Sequence, residues 1–137
     1  MRGRKILNQF KCLLSIAFFG AIGGLLRYFI GIELSFWGTI LVNLVGCFLL
    51  GFLTYFWLNF REVASWLSLG LGTGFVGSFT TFSSFCLDNI KLFLAGQVGL
   101  ALGYLILSIV GGWLAAKWGI FLGIQAGQQL QTKREEK

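Results

Sequence analysis

Gly72-Thr73-Gly74-Phe75-Val76-Gly77-Ser78-Phe79-Thr80-Thr81-Phe82-Ser83-Ser84-Phe85 is the stretch on which the fold turns. It lies inside an uncharged apolar run from Val63 to Leu87, long enough to cross a bilayer, which takes about 20 residues. Yet three glycines precede a cluster of hydroxyl residues, where helix propensity is low and Ser or Thr can satisfy freed backbone groups. Irregular backbone at that depth is tolerated only inside protein or beside a cavity. A break between Gly77 and Thr80 would expose carbonyl oxygens, which suit a hard cation such as Na+. The plainer reading of the same residues is an unbroken helix with a seam of small side chains.

Working outward, three further apolar runs flank this one. They cover residues 12–32, 36–60 and 92–116, the last with a possible continuation to 124. The expected fold is all-α: four transmembrane helices in one membrane domain, the third broken near mid-membrane, with polar tails at 1–11 and 125–137. Composition agrees, since 56% of the 137 residues are hydrophobic and only 12% are charged. A soluble domain of this size could not hide so much apolar surface. Gly reaches 20 residues, as suits helices that associate by close backbone approach. The pairs Gly20/Gly24, Gly70/Gly74 and Gly99/Gly103 have the small-xxx-small spacing. The apolar run after Arg2, Arg4 and Lys5 is too long for a signal-peptide core, so it reads as a retained span.

The net charge of +6 does not mark a nucleic-acid surface, because the basic residues gather at the chain ends. With four crossings, Arg2, Arg4, Lys5, Lys11, Arg61, Lys117, Lys133, Arg134 and Lys137 fall on one side, and Arg27 and Lys91 on the other. The positive-inside rule then places both termini in the cytoplasm of a multi-pass cell-membrane protein. Cys12, Cys47 and Cys86 are scattered in apolar runs and suggest neither a disulfide framework nor a zinc site.

Function inside a membrane rests on the few polar residues, each costly in lipid. The second and third runs hold no Asp, Glu, Lys, Arg or His, and no hydrolase triad or metal-ligand set is visible, so an enzyme is not expected. Thr39, Asn43 and Gly46 share one face of the second helix, and Tyr104, Ser108 and Gly112 (or Gly111) one face of the fourth. Taken singly, Asn43 and Ser108 read more readily as helix-to-helix bonds, whereas two such stripes together suit a wetted path for a small anion. Phe82 and Phe85 share a face as well. Aromatic rings are positive at the edge and could line an anion path, or simply pack.

Three segments together resemble the Fluc (also called CrcB) family of small fluoride channels. They are Gly23-Gly24-Leu25-Leu26-Arg27-Tyr28, Trp37-Gly38-Thr39-Ile40-Leu41-Val42-Asn43-Leu44-Val45-Gly46, and Gly74 through Phe85. The resemblance implies an antiparallel dimer with two pores and a central structural Na+, held by the backbone carbonyls of Gly77 and Thr80. It implies that Phe82 and Phe85 offer ring edges to fluoride, that Asn43, Tyr104 and Ser108 line the path, and that Arg27 attracts anions into a vestibule. Interfacial snorkelling is the competing role for Arg27. The implied activity is passive fluoride export that relieves toxicity. A small proton-coupled multidrug exporter would instead need a central carboxylate, whereas Glu33 and Asp88 lie at span ends. A non-transporting scaffold would leave the hydroxyl and Phe cluster after Gly77 without a purpose.

One feature departs from the resemblance. An inverted homodimer needs a chain that inserts both ways, and nine basic residues against two is a strong bias. The partner is therefore either a second copy or a homologous subunit of opposite orientation. Accessibility tags in the loops of both sides discriminate. A fixed topology predicts one labelled population, and two equal populations would refute it.

Overall fold

The computed structural model describes residues 2–60 and 63–135, and among them the regular structure is entirely helical. The expected Arg61 of the inter-span loop lies outside the described residues.

Helix α1 (Arg2–Phe60) is two helical arms joined at Ser35, whose φ of 48° and ψ of −126° break the helix. Residues seven apart in a continuous helix lie about 10.5 Å from one another. A Cβ built on Gly38 would instead sit 3.3 Å from Gly31 Cα, so the chain reverses and the arms 2–34 and 36–60 run back along each other. The reversal falls between the runs expected at 12–32 and 36–60. The first arm continues as helix back to Arg2, through residues expected as a tail.

The third expected run is a series of short pieces. Helix α2 (Ser65–Leu69) passes into a wide π-helical segment (Gly70–Val76), then a single turn, α3 (Gly77–Phe79). Thr80 and Thr81 are extended, with ψ of 157° and 121°, before α4 (Phe82–Leu94) begins. The glycines of this series let the first arm approach closely. A Cβ on Gly74 would lie 2.7 Å from the Ile16 carbonyl oxygen, and one on Gly23 would run into the Phe75 carbonyl. Ser15 closes the end of this contact by donating to the Trp66 carbonyl at 2.7 Å.

The boundary between the third and fourth runs differs from the expectation at residue 92. Helix α4 continues to Leu94, and α5 (Val98–Glu135) starts six residues later than expected. The cause is Gly96, whose φ of 72° ends the helix. Gln97 N–H donates to the Leu92 carbonyl and Gly96 N–H to that of Phe93, which is the Schellman arrangement for spent helix carbonyls.

The far end of α5 differs too. It runs well past 116 and 124, and most of the expected tail from 125 is helix. Gly119, Gly123 and Gly127 explain the extension, since they sit one turn apart and seat α5 on the second arm. A Cβ on Gly123 would run into the Phe52 carbonyl and lie 3.0 Å from Phe56 N, and one on Gly127 would lie 3.0 Å from the Phe56 carbonyl oxygen. Lys117 is thus inside a helix rather than at its end. Of the three glycine pairs marked in the sequence, Gly20, Gly70 and Gly74 meet neighbours, whereas Gly24, Gly99 and Gly103 meet nothing within 4 Å.

The core is small: Ile40, Val42, Val76, Phe79, Ala101 and Tyr104 are buried, while most Leu, Ile and Phe side chains face outward. Ile6–Phe60 and Val98–Lys133 are long and apolar enough to cross a membrane by length and composition. An all-helical chain with an apolar exterior and glycine seams inside is the arrangement expected of a membrane protein.

Gly123→Val tests the seam. Forcing a branched side chain against backbone should destabilise the protein by about 1–3 kcal/mol. Thermal unfolding in detergent should show a clear fall in midpoint. An unchanged midpoint would mean that α5 does not rest on the second arm there.

Candidate functional site

The site is organised by the helix interruption at Thr80–Thr81. In a continuing α-helix the Thr81 N–H would bond the Gly77 carbonyl, four residues back. Here it donates to Asn43 Oδ1 at 2.8 Å, and Asn43 Nδ2 in turn donates to the Thr81 carbonyl at 2.9 Å. One side chain from the second arm thus replaces both backbone partners of Thr81. Thr80 N–H still reaches the Val76 carbonyl at 3.0 Å, and its hydroxyl bonds the same oxygen at 3.0 Å. Beyond the break, Thr81 caps α4. Its Oγ1 accepts from Ser84 N–H at 3.2 Å and donates to Ser84 Oγ at 3.1 Å.

These substitutions leave helix carbonyls without their usual partners. The Gly77 carbonyl has lost the Thr81 N–H to Asn43, and the Thr80 carbonyl has lost the Ser84 N–H to the Thr81 hydroxyl. Gly77 also has open space on its side-chain face, with nothing within 4 Å of a Cβ there. Uncharged backbone oxygens are ligands of the kind a hard monovalent cation takes, and two of them would supply part of such a set. Among the described residues there is no cluster of His, Cys, Asp or Glu able to hold a metal.

A cavity of about 400 Å³ borders the break. Asn43, Gly77, Thr80, Phe82, Phe85 and Ser108 all line it, so six of the eight residues singled out in the sequence meet in one place. Phe82 is 78% exposed. The Phe82 and Phe85 rings stand 5.9 Å apart between centroids. Gly46 forms part of the wall, and a Cβ at that position would run into Thr80 Cγ2.

The remaining two residues lie elsewhere. Arg27 lines a second cavity, of about 340 Å³, together with Thr39 and Ser84. Thr81 borders both cavities, so the interrupted backbone stands between them. Tyr104 is buried beside the first cavity rather than on its wall. Its ring packs on Phe85 at 5.1 Å and on Phe36 at 4.3 Å, and its hydroxyl donates to Asp88 Oδ2 at 3.3 Å.

The family model for the CrcB-like proteins, described as camphor resistance (CrcB), matches residues 14–120, which include every residue of both cavities. The chain belongs to the CrcB family. A protein of Ligilactobacillus salivarius named fluoride-specific ion channel FluC 2 is 50% identical over 116 residues, covering 85% of this chain and 88% of the relative. A fluoride-specific ion channel FluC 1 of Lactobacillus delbrueckii subsp. bulgaricus is 54% identical over 110 residues, or 80% and 86% of the two chains. In Listeria innocua the similar protein, FluC 2, is 42% identical over 110 residues, covering 77% of this chain and 85% of its own.

Two members of this CrcB site escaped the sequence reading. Thr81 is the true partner of Asn43, and its place before Phe82-Ser83-Ser84 is a recognisable N-cap pattern that would have pointed to a new helix start. Asp88 has no local signal, because its link to Tyr104 joins residues sixteen apart across a helix hairpin.

Asn43→Leu should leave both the N–H and the carbonyl of Thr81 unpaired. Each such group costs about 1–3 kcal/mol when buried. Asn43→Asp keeps the acceptor and loses the donor, so its unfolding midpoint should fall between those of the Asn43→Leu variant and the native protein. Equal midpoints for all three would show that the bracket does not hold the break.

Proposed function

We propose that this CrcB protein is a fluoride-selective channel that lets cytoplasmic fluoride leave down its electrochemical gradient. The observation that carries this reading is the cavity beside the Asn43–Thr81 bracket, in which an amide, a hydroxyl and two aromatic rings converge without any carboxylate. Asn43 Nδ2 uses one N–H on the Thr81 carbonyl and has a second to offer an anion. The Ser108 hydroxyl supplies another donor, and the positive edges of Phe82 and Phe85 add attraction without a fixed charge. Neutral donors replace part of a hydration shell while binding weakly enough for release. Arg27 raises the anion concentration in the neighbouring cavity, which serves as a vestibule.

In this reading the chain crosses the cell membrane four times: by the two arms of α1, by the broken series from α2 to α4, and by α5. Gly77 and Thr80 hold a Na+ through their carbonyls. That ion organises the break and makes the interior less hostile to an anion. Phe82 lines the cavity and is largely exposed, and in this reading a second subunit of opposite orientation covers it. The subunit is a second copy or a homologue, and the Lys/Arg bias of the chain favours a homologue. Transport is passive and no covalent chemistry takes part. Proton-coupled export has less support, because Asp88 is engaged by Tyr104 outside the cavity wall.

Purified protein in liposomes, with its homologous subunit where one is required, should release fluoride and retain chloride, read by ion-selective electrodes. Phe82→Ile should slow fluoride release by about tenfold or more, equivalent to about 1.4 kcal/mol of lost stabilisation along the path. A folded, assembled protein that traps fluoride would overturn the channel reading. Unchanged flux in the variant would remove the ring edge from it.

A further inference from the structure

Lys117 is the one charged side chain on the outward face of the middle of α5. It lies two residues before Gly119, about 200° round the helix from the seam that rests on the second arm. Its neighbours on that face are Ile106, Val110, Trp113, Leu114 and Phe121, all exposed. Its Nζ rests over the Trp113 ring, 4.4 Å from the centroid. The face opposite the seam is also opposite Ser108 and its cavity, so it looks toward lipid rather than toward the subunit that would close the path.

The depth of Lys117 follows from the packing register. Gly46 faces Thr80 at the helix break, and Gly112 of α5 faces Cys47 at nearly the same level. Lys117 is five residues beyond Gly112, about 7.5 Å along the axis toward the end that bears Phe60 and Gly127. A hydrocarbon half-thickness of about 15 Å then leaves a similar distance to the headgroups. A lysine stem spans about 6 Å, so the ammonium swings from the Trp113 face to the glycerol and phosphate level. Beside it, between the second arm and α5, Phe48, Leu114, Ala115 and Trp118 line an apolar groove of about 380 Å³.

From this geometry we infer a binding site for an anionic phospholipid of the leaflet nearer the C-terminal end of α5. Its phosphate pairs with Lys117, and one acyl chain lies in the groove walled by Phe48 and Trp118. Charge complementarity selects the occupant: a zwitterionic lipid fills the groove equally well but carries its own cation beside the phosphate. Trp113 provides the resting place of the ammonium when the site is empty of lipid, and a cation over an indole face is held without a counter-ion. The inference rests on the membrane-spanning reading of α5 and is independent of fluoride permeation.

Native mass spectrometry of the assembled protein tests it, in micelles carrying equimolar phosphatidylglycerol and phosphatidylcholine with identical acyl chains. The native protein and Lys117→Arg should retain phosphatidylglycerol preferentially, by about fivefold, the preference a single interfacial cation supplies. Lys117→Met keeps the apolar stem and should bring the two lipids to parity. Ala115→Trp fills the groove and should reduce retention of both. Fluoride flux of Lys117→Met in phosphatidylcholine vesicles should match the native protein, so loss of lipid preference and failure of the channel reading are read separately. An undiminished preference in Lys117→Met overturns the site. So does a Lys117→Met protein whose subunit assembly changes while its lipid preference does not, since Lys117 would then face another subunit.

Discussion

The paired hydrogen bonds between Asn43 and Thr81 are the constraint on which the rest of the structure depends. A backbone break surrounded by apolar side chains is intolerable unless its N–H and carbonyl groups find partners. The Asn43 side chain satisfies one donor and one acceptor of Thr81 at 2.8 and 2.9 Å. By doing so it permits Thr80 and Thr81 to be extended, and it releases the Gly77 carbonyl from its helical partner. The cap that Thr81 places on α4 follows from that exchange.

Holding Asn43 at the right height is the task of the glycine seams. The second arm must lie close to the break, and Gly46 allows it, because a side chain there would overlap Thr80. The first arm must lie close to the π-helical segment, and Gly23 and Gly74 allow that. On the other flank Gly119, Gly123 and Gly127 draw α5 onto the second arm, with the stacked rings of Phe48, Phe52 and Phe56 along the same helix. The absence of large side chains at these contacts fixes the register by which Ser108 reaches the cavity of Asn43.

Much of this was legible in the sequence because its signals are local. The apolar runs, the short gap between 32 and 36 and the Gly and Thr cluster before Phe82 each reveal themselves within one stretch of chain. The convergence of Asn43, Phe82, Phe85 and Ser108 was legible only through resemblance, since no periodicity says which helix faces which. Other features were hidden for physical reasons. The Gly96 terminator was masked by continuous hydropathy on both sides, and the length of α5 was masked by Lys117, whose charge reads as a helix end. The place of Tyr104, packed on Phe36 and Phe85 and bonded to Asp88, depends on three elements meeting and has no local trace.

Magic-angle-spinning NMR on the assembled protein in fluoride-loaded bilayers tests directly whether this cavity carries the anion. Dipolar transfer from ¹⁹F should reach the ring carbons of Phe82 and Phe85 and the side-chain nitrogen of Asn43. Transfer confined to the cavity around Arg27, or absent at saturating fluoride, would contradict the account.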